Sequence, residues 1–265
     1  MNPFSLGLPI PAVGAVFVGA MAMGFTGFAF PLIAAGALAL YFPATEFVPA
    51  LSIVADICLV LLLLENLGGL RGGTFGSPLF RPPVLAVVGV GLVGGRLLLT
   101  GLPILVARVL LGASIVGFAL ESLRSRPTRR LEAAGSEVPT LSPRTFALGF
   151  MAGIFQGWMG IGGPLVVLIA LKAALTRKEM LASFALFFLL TDVFRIAEFV
   201  ASGLLTASVG ALAAQVSIVT AVGYPSGIAL RRLLRDDAAF RHAVRAILIG
   251  TGTWLMVDSL VKGFR

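Results

Sequence analysis

The chain has 265 residues, of which 58% are hydrophobic and 12% charged, with a mean hydropathy of +1.03. Soluble domains carry about a quarter charged residues, so this composition argues against a soluble globular enzyme. The net charge is +8; in a chain this apolar, basic residues read as loop charges that orient a membrane protein, and no nucleic-acid partner is expected.

Apolar runs lie at about 10–41, 48–64, 83–100, 103–121, 145–171, 180–200, 204–230 and 243–261. Most match one bilayer span of about 20 residues. The first and fifth are long, and Gly and Pro interrupt both. The expected fold is therefore an all-α polytopic membrane protein. The N-terminus carries no basic residue before Arg71, unlike a secretory signal, and is expected to stay in the mature chain. The only cysteine, Cys58, sits inside an apolar run, and the only histidine, His242, lies among arginines. Neither a disulfide framework nor a metal site is expected, and no cofactor.

The two halves read as a duplication. A shift of 133 residues maps Gly24 to Gly157, Gly27 to Gly160, Pro31 to Pro164, Leu32 to Leu165 and Glu46 to Glu179, with Phe25 on Trp158. This gives an N-terminal repeat at 1–123, a basic cytoplasmic linker at 124–144 and a C-terminal repeat at 145–265. Duplicated halves are a common way to build a transporter.

Charge sets the orientation. The 122–144 stretch holds Arg124, Arg126, Arg129, Arg130 and Arg144, and the 231–245 stretch holds Arg231, Arg232, Arg235, Arg241 and Arg245. Both belong in the cytoplasm, yet three apolar runs separate them. The conflict disappears if the broken run 145–171 turns back to its own side. Lys172, Arg177 and Lys178 then become cytoplasmic and the uncharged 201–208 gap falls outside. Applied backwards, the rule puts the 65–82 loop in the cytoplasm and Glu46 outside. Each half then has one re-entrant hairpin and three spans, and the halves are inverted. Eight simple spans with one misplaced basic loop is the competing arrangement.

The breaks read Gly24-Phe25-Thr26-Gly27-Phe28-Ala29-Phe30-Pro31 and Gly157-Trp158-Met159-Gly160-Ile161-Gly162-Gly163-Pro164. Glycine permits irregular backbone, and proline suits a first helical turn, so Pro31 and Pro164 are expected to start second half-helices. A half-helix N-terminus offers N–H groups and a positive dipole end to an anion. Breaks from two inverted halves would meet near the midplane. Alternatively, the glycines serve close helix packing.

At these residues the chain resembles the TauE/SafE sulfite exporter family. The resemblance rests on Gly149, Gly153, Gly157, Gly160, Gly162, Gly163 and Pro164, on the two Gly-rich halves, on the length and on the basic mid-chain linker. It implies a carrier of sulfite, sulfoacetate, another organosulfonate or a related small anion. The first copy departs from the family pattern with Phe28-Ala29-Phe30 where a glycine cluster is typical.

Ionisable residues inside a membrane default to functional hypotheses. The sixth run holds Asp192, Arg195 and Glu198 at spacings of three, hence on one helical face. Arg195 either pairs with an acid, snorkels outward, or binds an oxyanion through its planar fork. Asp56 occupies a place similar to Asp192, offset by 136. A buried aspartate is able to carry a proton, but an ion pair serves equally. Arg96, Arg108 and Asp258 lie near run ends and read as snorkelling or terminal groups. Thr26, Ser52, Gln156 and Ser183 are the uncharged polar groups near the breaks. Ser and Thr often bond back to their own helix, whereas Gln156 offers an amide donor. Trp158 and Phe25 are expected to seal a cavity or face lipid.

The expected substrate-binding set is Gly24, Thr26, Gly27, Gln156, Gly157, Gly160, Gly162, Gly163 and Arg195. Asp56, Asp192 and Glu198 form a coupling or ion-pair set. The expected partners are a small anion, the bilayer, a coupling proton or sodium ion, and a second copy in a homodimer. The expected location is a cell membrane with multiple crossings, the inner membrane if the source is bacterial. No phosphate-binding Gly-x-x-x-x-Gly-Lys-Ser/Thr loop and no His-Glu-x-x-His pair is present. An intramembrane aspartyl enzyme would need a Gly-x-Gly-Asp context, which is also missing. A channel or a carrier of another small solute, driven by a cation or proton, is the alternative reading.

Overall fold

The structure, a computed structural model, describes residues 7–70, 77–99, 143–170 and 175–233, with isolated helical positions at 109–116 and 242–257. Most of the fourth and last apolar runs, residues 124–142 of the linker, Arg108 and Asp258 lie outside the described residues. Among the described residues the regular structure is entirely helical. In chain order it comprises α1 (Ile10–Thr26), α2 (Phe30–Leu38), α3 (Ala44–Glu65), two short 3-10 turns (Leu67–Leu70 and Pro78–Phe80), α4 (Pro82–Leu99), α5 (Pro143–Met159), α6 (Gly163–Ala170), α7 (Arg177–Ala201) and α8 (Ala207–Leu233). Of these, α3, α7 and α8 are long and apolar enough to cross a bilayer. They also leave large apolar side chains exposed, including Ile57, Leu64, Val193, Phe194, Ile218 and Val222. Such faces fit a lipid environment.

The first and fifth apolar runs each break once. Gly27 ends α1 at φ 89° and Gly160 follows α5 at φ 71°. Positive φ is inexpensive only for glycine. Pro31 and Pro164 each stand second in the helix that follows, where no N–H is missed. The helices α1, α2 and α3 start at 10, 30 and 44, and α5, α6 and α7 start at 143, 163 and 177, a constant offset of 133. Glu179 stands third in α7 and accepts the Thr176 N–H at 2.9 Å, while the Thr176 hydroxyl accepts the Glu179 N–H at 3.4 Å. This capping box explains an acid at that point without a site role. Glu46 also stands third, in α3, where Pro43 precedes the helix and its carbonyl accepts the Glu46 N–H at 3.0 Å.

Contacts divide the chain into two compact units. The first holds α1, α2, α3, α8 and α7 from Phe184 onward. Here the chain reverses at Gly27, so that Gly19 of α1 lies against Phe30 and Ala34 of α2. Helix α8 runs parallel to α1, with Gly227 closed onto the Met21 carbonyl and Gly24 onto the Tyr224 carbonyl. It also runs parallel to α3. The Tyr224 hydroxyl donates to the Cys58 carbonyl at 3.2 Å, and seven residues further along both helices Arg231 pairs with Glu65. Helix α7 runs antiparallel to α3, because Arg195 meets Ser52 while Asp192, three residues earlier, meets Asp56, four residues later. Phe30, Phe47, Leu51, Leu62, Phe184 and Phe187 fill the core.

The second unit holds α4, α5, α6 and the first turns of α7. Helices α4 and α5 run parallel along a glycine seam. Gly91 lies against Phe150 and Gly153, Gly95 against Ile154 and Trp158, and Gly157 against Leu92. Small residues at spacings of four let backbones touch, which is how helices associate without a hydrophobic drive between them. Phe155 and Trp158 stack nearly parallel at 6.5 Å. Trp158 and Phe25 are both buried within their units, so neither faces lipid as one of the expectations had it.

Candidate functional site

The densest buried polar group in the first unit lies between α3 and α7. Arg195 is 3% exposed and Asp192 3%. The Arg195 Nε lies 3.4 Å from Asp192 Oδ1, one helical turn back. Its Nη2 donates to the Ser52 hydroxyl on α3, which in turn donates to the Val48 carbonyl at 2.6 Å. Phe199, four residues on, puts its ring 5.7 Å beneath the guanidinium carbon. Asp56, on the same stretch of α3, lies within hydrogen-bonding reach of Asp192 and in the field of Arg195. Arg195 therefore does not snorkel to the surface. It points into the packed interior at a level near the middle of α3, fixed from three sides. Glu198 is half-buried on the same helix.

The break after α1 is a separate place in this unit. Phe28 packs edge-on against Phe184 at 6.1 Å. Arg195 lies eleven residues further along α7, roughly 16 Å away at about 1.5 Å per residue. Thr26 spends its hydroxyl locally, donating to the Ala22 carbonyl at 2.8 Å and accepting the Phe28 N–H at 3.4 Å. Gly24 is filled by the Tyr224 backbone. Among the substrate-binding expectations in this unit, the structure brings Arg195 together with Asp192 and Asp56, and leaves Gly24, Thr26 and Gly27 elsewhere.

The second break has its own staple. Gln156 is buried, and its Oε1 accepts the Gly162 N–H at 3.0 Å across the turn. Gly162 in turn accepts the Leu165 N–H at 3.2 Å and opens α6. Gly157 is closed by Leu92, and Gly162 by the Ala152 carbonyl and the Gln156 side chain. Gly160 makes the turn, and Gly163 and Pro164 are buried in the first turn of α6. A packing role thus accounts for Gly157, and a turn role for Gly160. Replacing Gln156 by Met should lower the thermal unfolding midpoint, because the buried Gly162 N–H loses its acceptor, worth about 1–3 kcal/mol. An unchanged midpoint in detergent would remove this stapling role.

Three partners escaped the sequence. Ser52 stood out only as a polar group near a glutamate; nothing local ties it to a residue 143 positions away. Phe199 went unnoticed, although an aromatic four residues after Arg195 shares its helical face. Arg231 counts as a loop charge in the basic 231–245 stretch, but α8 continues to Leu233, and Arg231 is 4% exposed with Glu65 as its partner. The apolar run ends one residue earlier, which hid this.

The family model described as sulfite exporter TauE/SafE matches residues 12–255. The chain belongs to the TauE/SafE family. It is therefore a membrane protein of a transporter family for sulfur anions. No curated protein and no solved structure matches the chain. The TauE/SafE match takes in α1 from its third residue and all of α2 to α8, so both breaks and the Arg195 cluster lie inside it.

Proposed function

We propose that the protein is a secondary transporter of a small anion, sulfite or an organosulfonate such as sulfoacetate, and that Arg195 is its main anion-binding group. The observation that carries this reading is a guanidinium buried about three-quarters of the way along a membrane-length helix, between Ser52 and Phe199. A planar fork in that position binds oxyanions through two donors. A bound sulfonate would compete with Asp192 for the same guanidinium.

The proposed frame is a multi-pass inverted repeat with re-entrant hairpins at α1–α2 and α5–α6. Several features support it. The helix starts keep the 133-residue offset. The glycine contacts correspond: Gly95 on Ile154 and Trp158 matches Gly227 on Met21 and Phe25. The antiparallel packing of α3 against α7 is what inverted copies of one helix would give. Glu65 and Arg231 also meet at the C-terminal ends of parallel helices, in keeping with cytoplasmic 65–82 and 231–245 stretches.

The test is thermal stability of the detergent-solubilised protein against sulfite, sulfate, thiosulfate, sulfoacetate, isethionate, taurine, acetate and chloride, with sodium varied. A ligand that binds only the folded state raises the midpoint, by about 2.7 kcal/mol at a hundredfold excess over Kd. A selective rise with one or two sulfur anions is expected. A rise with a cation alone would instead favour a carrier or channel of another solute, with Asp56, Asp192 and Glu198 lining its path.

A further inference from the structure

The cluster between α3 and α7 holds one cation and two carboxyls. Arg195 answers Asp192 at 3.4 Å. Among the described residues Asp56 has no cation of its own. It lies within hydrogen-bonding reach of Asp192, and its Oδ1 is buried without a hydrogen-bond partner. Among the described residues the surrounding elements supply no second positive charge. Helices α1 and α2 contain no titratable residue. On α3 the neighbours are Ser52, which serves Arg195 and Val48, and the thiol of Cys58. On α8 the nearest ionisable group is Tyr224, whose hydroxyl donates to the Cys58 carbonyl, while Arg231 is engaged by Glu65. On α7, Glu198 adds a further acid rather than a base.

Two ionised carboxylates only accept hydrogen bonds, so a bond between them needs a proton. An unanswered negative charge inside the hydrocarbon layer is expensive. One proton brings the Arg195–Asp192–Asp56 group to neutrality. We propose that Asp56 holds one proton, which it donates to Asp192, and that this proton is the coupling ion of the carrier. The second half of this proposal rests on the anion-carrier reading; the first half does not. The two residues stand within one helical turn of corresponding places on α3 and α7, which pack antiparallel. On an axis relating inverted copies they would keep the same depth whichever side is open. An anion that draws Arg195 away from Asp192 leaves the carboxyls in greater need of the proton. Anion binding and proton binding then favour each other, the reciprocity that symport requires.

Two measurements on the full-length protein decide the matter. The first is infrared absorption in detergent with the aspartate carboxyls labelled by carbon-13. At neutral pH a protonated-carboxyl band is expected that moves with the label and disappears in Asp56→Asn. A wild-type spectrum without that band at neutral pH overturns the proton on Asp56, even if the variant fails to fold. The second is uptake of labelled isethionate, a sulfonate of fixed single charge, into proteoliposomes. One proton per monoanion predicts about tenfold accumulation per imposed pH unit, the factor that corresponds to 1.4 kcal/mol. Uptake indifferent to the pH gradient, or driven by sodium alone, overturns the coupling role. Vesicles that take up neither isethionate nor sulfite would sink the anion reading, while the infrared band still decides the proton.

Discussion

Replacing Arg195 by Met should abolish both anion-induced stabilisation and transport, and should lower stability by about 3–5 kcal/mol, because Asp192 and Asp56 are then buried without a cation. The stability loss alone would not distinguish an anion site from a structural pair. The double variant Asp192→Asn/Arg195→Met separates them. With the pair removed together only Asp56 remains, neutral while it carries its proton, and much of the lost midpoint should return. Transport should stay absent, since the oxyanion has lost its fork. Recovery of transport in the double variant would reduce Arg195 to a structural role. Arg195→Lys keeps the charge but not the two-donor geometry, and should weaken the response to sulfur anions rather than erase it. The readouts are midpoint shifts in detergent and initial uptake rates in proteoliposomes.

The second large effect belongs to the helix seams. A Cβ on Gly157 would strike the Leu92 carbonyl, a backbone atom that no rotamer change moves away. Gly157→Ala should cost about 1–3 kcal/mol by forcing α4 and α5 apart, and Gly157→Leu should accumulate poorly. Gly24→Ala should behave like Gly157→Ala, because the Tyr224 carbonyl occupies the same direction there. Gly94 lies on the same helix as the seam but has open space around it. Gly94→Ala should leave the midpoint within about 0.5 kcal/mol or raise it slightly, since alanine favours the helix. Equal midpoints for Gly157→Ala and Gly94→Ala would contradict the close approach of α4 and α5.

These two predictions assign different work to residues that look alike in the sequence. Gly24, Gly157 and Gly162 all sit beside breaks, so a reading from composition groups them as candidates for one anion site. The structure uses Gly24 and Gly157 for backbone-to-backbone contact and Gly162 as the receiving end of the Gln156 staple. Glycine answers several steric demands equally well, and only the neighbour that fills the missing Cβ tells them apart.

By itself the sequence determined the helical class, the membrane setting and the places where the two long runs break. Each of these follows from local physics. Twenty apolar residues span a bilayer wherever they occur, glycine turns a chain, and proline opens a helix irrespective of neighbours. Even the Asp192–Arg195 contact was legible, because a spacing of three sets both on one helical face. Tertiary structure alone decided what lies opposite. That Ser52 receives Arg195, that Asp56 meets Asp192, and that Arg231 is drawn inward by Glu65 depend on how α3 pairs with α7 and α8. A helix face declares its own polar residues through its period, but the partner across the interface is chosen by packing between segments more than a hundred residues apart, and no local pattern encodes it.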